Sequence, residues 1–91
     1  MKGNYIMENK IEQIIAKVRD MYKYTAEYKQ LFSSDAKIIL NEKNGVFSIQ
    51  EIIFGRYDKI SIDNKRIFYQ PEHGFSKVLI EYNGLDDLLN L

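Results

Sequence analysis

The sequence predicts an α+β fold. One long N-terminal amphipathic helix packs on a four- to five-stranded antiparallel meander sheet, followed by a short C-terminal helix. Three observations carry this. Apolar residues between positions 9 and 32 recur with helical spacing, the period falls to two after Asp35, and turn-forming clusters then punctuate the chain at short intervals.

The helix comes first. Ile11, Ile14, Ile15, Val18, Met21, Tyr22, Thr25, Tyr28 and Phe32 follow the i, i+3, i+4, i+7 rule and share one arc. Asn9 is placed to cap its start, with Glu12 three residues on, and Ser33-Ser34-Asp35 is expected to end it. The reverse face mixes Glu12, Lys17, Arg19, Asp20, Lys23 and Glu27, with Lys23 and Glu27 spaced to pair, and reads as a solvated face.

The strands follow. Residues 36–40 form the first, and Asn41 to Gly45 form a hairpin turn in which Asn44-Gly45 supplies positive φ. Residues 46–54 are the longest strand, and Gly55 to Asp58 turn the chain. Ile60 and Ile62 alternate with Lys59 and Ser61 in a third strand. Asp63-Asn64-Lys65 leads into a fourth, Arg66 to Gln70, and Pro71 to Gly74 is a loop before a fifth, Lys77 to Tyr82. Asn83-Gly84 breaks that strand, and Leu85 to Leu91 form about two turns of helix with Asp86 and Asp87 near its positive end. Short connections force antiparallel neighbours, hence a meander. The 91 residues make one domain, 1–91, with residues 1–8 expected to be disordered or irregular.

The strands carry a surplus of apolar side chains. In residues 46–54 one face would hold Phe47, Ile49 and Ile53, and the other Val46, Ile52 and Phe54. Ile38-Ile39-Leu40 and Val78-Leu79-Ile80 are doubled in the same way. A bulge near Gln50-Glu51 would merge the two sets of the long strand. Otherwise the surplus needs a covering surface, and a partner supplies one. The partner surface is expected to centre on Ile39, Phe47, Ile49 and Leu79. Tyr24 and Leu31, off the apolar arc of the helix, and Tyr57 in a turn are further contact candidates.

Composition narrows the function classes. Thirteen basic and thirteen acidic side chains cancel, which disfavours nucleic-acid binding, since that needs a basic surface. There is no cysteine and one histidine, so no metal site or cofactor is expected. No apolar run is long enough to cross a bilayer and no secretion signal is visible, so the chain is expected in the cytoplasm and not at a membrane. His73, beside Glu72 in a loop, reads as an exposed histidine.

The leading expectation is therefore a small non-enzymatic protein-binding module, self-associating as a homodimer or binding a hetero-partner. Its size, neutrality and Ile-, Lys-, Asn- and Tyr-rich composition fit an inhibitor or immunity-type protein of a phage or mobile element. One alternative is a small toxin-like ribonuclease using Arg66, Tyr69 and His73, against which the neutral charge counts. Another is a single-stranded nucleic-acid binder using the Lys- and Tyr-bearing helix around Lys23 and Tyr24.

Overall fold

A computed structural model describes residues 2–91, with side chains from Met7 onward. The chain runs α1 (Lys2–Tyr22), α2 (Ala26–Phe32), β1 (Ala36–Lys43), β2 (Val46–Phe54), β3 (Lys59–Ile62), β4 (Arg66–Gln70), β5 (Lys77–Glu81) and α3 (Leu85–Leu89). The five strands form one antiparallel sheet in the order β1-β2-β3-β4-β5, the expected meander.

The helical layer departs from expectation twice. First, α1 takes in residues 2–8, which the sequence reading left irregular, and Asn9 lies inside it instead of capping it. Met7 explains the extension: it stands four residues before Ile11, continues the apolar stripe by one turn, and packs with Ile11 on the core. Second, the single helix of residues 9–32 is two helices, broken at Lys23-Tyr24-Thr25. Thr25 takes an extended backbone (φ −95°, ψ 97°) as the N-cap residue of α2.

The break has a packing cause. A straight helix through residues 2–32 would be about 46 Å long, more than the 38 Å longest extent of the molecule. Turning the chain at Thr25 brings Tyr28 and Phe32 back over the sheet, where both are buried. Tyr22 then stacks on Phe32 at 4.9 Å, and Phe32 meets Phe54 edge-on at 5.3 Å.

The break also re-pairs charges. Lys23 bonds Asp20 at 2.8 Å, not Glu27, which lies beyond the turn. That hydrogen bond, with the ammonium charge, holds the Asp20 carboxyl below its usual range. Arg19, read as part of the solvated face, bends over the Phe54 ring and donates to the carbonyls of Phe32 (2.7 Å) and Ser34 (3.2 Å), closing the carboxyl end of α2. Ser33 and Ser34 end the helix as expected, their hydroxyls donating to the carbonyls of Lys29 and Leu31.

In the sheet, Asn44 and Gly45 both have positive φ (55° and 77°), a two-residue hairpin turn. So tight a turn lets β1 run on to Lys43, three residues past its expected end. Between Ile39 and Leu40 the register shifts: Ile39 faces Glu51 and Leu40 faces Ile49, leaving Gln50 as the extra residue. This is the anticipated bulge. It puts Ile49, Ile52 and Phe54 on one face, all buried. A second shift, between Ile67 and Phe68, leaves Leu79 as the extra residue of β5 and separates Val78 from Ile80.

The core lies between the bulged face and the helices: Ile14, Val18, Tyr28, Phe32, Leu85 and Leu88 against Ile49, Ile52, Phe54, Ile60, Ile62 and Ile67. Within it the Tyr28 hydroxyl is enclosed without a hydrogen-bond partner among the described residues, its ring against Tyr69 at 5.5 Å and Tyr22 at 6.1 Å. Removing such a hydroxyl removes a desolvation cost of about 1 kcal/mol or more. Tyr28→Phe is therefore expected to raise the urea unfolding midpoint, with an unchanged slope, by an amount equivalent to about 1 kcal/mol. A loss of stability would show that the hydroxyl is bonded.

Candidate interaction surface

The contact candidates read from the sequence do not form one surface. Ile49 is buried in the core. Phe47 shares its face and is 46% exposed, where the β1–β2 hairpin overhangs Met7, Lys10 and Leu85 around a hollow of about 180 Å³. Leu79 is half-buried and packs on the core. Ile39 alone of the four lies on the opposite face. The two bulges are the reason: each reverses which side chains face the helices, and two-residue alternation cannot follow that. Tyr24 is 89% exposed in the break between helices, whereas Leu31 packs on the core beside Gly55, so the pair does not form. Tyr57 is exposed in the β2–β3 turn, beneath the Arg56 guanidinium.

The opposite face of the sheet is the coherent surface. Among the described residues, all three helices pack on the core face and leave the other uncovered. Cross-strand register places Lys37, Ile53, Ser61, Phe68 and Val78 in one row across the five strands. Ile53 and Phe68 are half-buried, Val78 is 45% exposed, and Ser61, the small residue between Ile53 and Phe68, is fully enclosed. The next row holds Ile39 beside Glu51 and, two strands away, Arg66 beside Glu81. The Arg66 guanidinium lies 4.8 Å from the Phe68 ring, a cation–π contact that keeps the ring edge apolar and its rim charged.

Sequence reading missed Ile53, Phe68 and Val78 as a group. The signal was present in part: the alternation of β3 and β4 sets Phe68 apart from Ile67 and Tyr69. Joining it to Ile53 and Val78 requires the register. Phe75, 96% exposed in the loop before β5, was also missed.

Polar side chains stand out in two other places. An open hollow of about 610 Å³ is walled by Asp63, Lys65, Arg66, Glu81, Tyr82, Asn83 and Asp87. Three of its polar side chains are engaged with backbone groups. Asp63 Oδ1 accepts from the backbone N–H groups of Lys65 and Arg66, the Tyr82 hydroxyl donates to the Asp63 carbonyl at 2.7 Å, and Asp87 accepts from Asn83 N–H. Burial first, then the nearby Asp63 carboxylate, pushes the Tyr82 hydroxyl well above the ordinary tyrosine range.

The three groups considered for ribonuclease chemistry are the second place. Arg66 is on the uncovered face with Phe68, Tyr69 is on the core face against Tyr28, and His73 is exposed in the loop after β4. Burial, then the Asp58 and Glu27 carboxylates, raise the Tyr69 hydroxyl. The fold does not bring the three together.

Among the described residues no cluster of three or more His, Asp or Glu side chains could hold a metal, and no helix is long and apolar enough to cross a membrane. Compared with protein-family models, curated proteins and solved structures, the chain matches none.

Proposed function

We propose that the chain is a small non-enzymatic protein-binding module that works through the uncovered face of its sheet. The observation that carries this is the row Ile53, Ser61, Phe68 and Val78, apolar but for one enclosed serine and spanning four strands on a face with no helix over it. A single exposed apolar residue is ordinary, but a contiguous stripe bordered by charge has the make-up of a contact surface. Ile39 extends the stripe towards the β1 edge, and Glu51, Arg66, Lys37 and Lys59 form its rim.

The absence of cysteine, the zero net charge and the size suit an inhibitor or immunity-type role in the cytoplasm. A helix-borne nucleic-acid site has less behind it, since Lys23 is already paired with Asp20.

A photo-crosslinking residue placed at Ile53 or Val78 tests the reading in cells expressing the chain. Discrete protein adducts are expected from both positions and none from the same probe at Glu12, which lies on the solvent side of α1. Equal labelling at Glu12, or no protein adduct from the sheet face, would overturn the reading.

A further inference from the structure

We propose that the partner of the uncovered sheet face is a second copy of this chain, related by a two-fold axis running along β3 through Ser61. This rests on the reading of that face as the contact surface and names its occupant.

A two-fold contact must be self-complementary: whatever lies to one side of the axis meets what lies to the other. The three central strands, β2 to β4, meet that demand about β3. Ile53 on β2 and Phe68 on β4 flank Ser61 directly, each in register with it. Rotation about β3 therefore sets Ile53 of each copy on Phe68 of the other, a β-branched residue on an aromatic, twice. Ser61, the smallest side chain of the row, sits on the axis where two large ones would collide.

Charge follows the same geometry. Glu51 lies two residues before Ile53 on β2, and Arg66 two residues before Phe68 on β4, so both occupy the same outer face. Because β2 and β4 run parallel to each other across β3, both lie to the same side of the apolar row or opposite sides according to register. The pairs Ile52 with Ile62 and Ile62 with Ile67 place them on the same side, one step beyond β3's Ile62. The rotation thus brings Glu51 of each copy to Arg66 of the other, giving two opposite-charge pairs at the rim. Within one chain Arg66 reaches Asp63 only at 3.9 Å, a loose contact that leaves its guanidinium available.

Like charges meet on the axis only at Lys59, which opens β3, and at Asp63, which follows it. Asp63 is held in its own turn by two backbone N–H groups, so its carboxylate is already partnered where the two copies meet. A face about 24 Å by 15 Å, from strand spacing and rise, offers on the order of 400 Å² per copy. That is about half of what a stable specific interface buries per partner, so the dimer is expected to be weak and transient.

Sedimentation equilibrium of the whole chain, from about 10 to about 500 µM, covers the range where so small an interface associates. The weight-average mass is expected to rise from one chain towards two. Glu51→Arg and Arg66→Glu are each expected to weaken association about tenfold or more, and the double reversal to restore it. Circular dichroism melts of the same variants check that each is folded, and Ile53→Asp gives a second, charge-independent disruption. A one-chain mass across the whole range, or single reversals without effect, would overturn the proposal. If the chain stays monomeric while probes at Ile53 and Val78 join it to a different protein, self-pairing falls and the contact-surface reading stands.

Discussion

Replacing Gly55 with alanine is expected to destabilise the protein by about 3 kcal/mol or more, among the largest effects available to a single methyl group. Gly55 has φ +90°, outside even the left-handed pocket that non-glycine residues tolerate. A Cβ there would lie 2.1 Å from the Asp58 carbonyl oxygen and 2.8 Å from Leu31 Cδ2. The first obstacle is backbone, so no rotamer change relieves it. Moving Asp58 would loosen the β2–β3 turn and the bond from Glu72 N–H to the Asp58 carboxylate, which ties that turn to the β4–β5 loop. Moving Gly55 would break its N–H bond to the Ser34 hydroxyl, which joins the sheet to the end of α2. Gly45→Ala is the matched control. Its φ is +77°, but nothing lies within 4 Å of the added Cβ, so it is expected to cost only about 1 kcal/mol. Equal losses in urea unfolding would show that conformational freedom, and not the crowded turn, sets the cost at Gly55.

The legible and illegible parts of this chain separate by range. Strand positions, the Asn44-Gly45 turn and α3 follow from local pattern, because turn residues and alternation act over a few neighbours. The Gln50 bulge was also accessible: only an extra residue lets Ile49 and Ile52, three apart, share a face. The break at Thr25 was not. Residues 9–32 satisfy one continuous helical arc, and what divides them is the burial of Tyr28 and Phe32 against a sheet formed from residues far along the chain. The second bulge, at Leu79, is hidden for a similar reason, since Val78, Leu79 and Ile80 are all apolar and no polar residue betrays the change of face. The apolar row went unread with it, because Val78 joins Phe68 and Ile53 only through that register. The scatter of Ile39, Phe47, Ile49 and Leu79 over different faces is thus the consequence of two local irregularities whose causes are tertiary.

Phe54→Ala is expected to cost about 3–5 kcal/mol, and Phe68→Ala about 1 kcal/mol or less in the monomer, although both delete the same atoms from strands of one sheet, β2 and β4. Phe54 is fully buried, edge-on to Phe32 and beneath the Arg19 guanidinium. Its removal leaves a cavity at the point where α1, α2 and β2 meet, and the Arg19 bonds to Phe32 and Ser34 tie α1 to the end of α2, which limits how far either can shift to fill it. A domain of this size has about 5–14 kcal/mol of stability in total, so Phe54→Ala is expected to bring much of the population near unfolding at physiological temperature. Phe68 is half-buried on the uncovered face, in contact with Arg66, and its loss exposes a shallow patch instead of a void. Guanidinium unfolding of the two variants at low protein concentration separates the faces: one residue serves folding, while the other is affordable to the fold and matters to whatever covers it. Raising the concentration then adds the second half of the test. If the sheet face pairs with itself, wild-type stability increases with concentration by mass action and that of Phe68→Ala does not. A Phe68→Ala loss as large as that of Phe54→Ala would place Phe68 in the folding core and remove the basis for a free contact face.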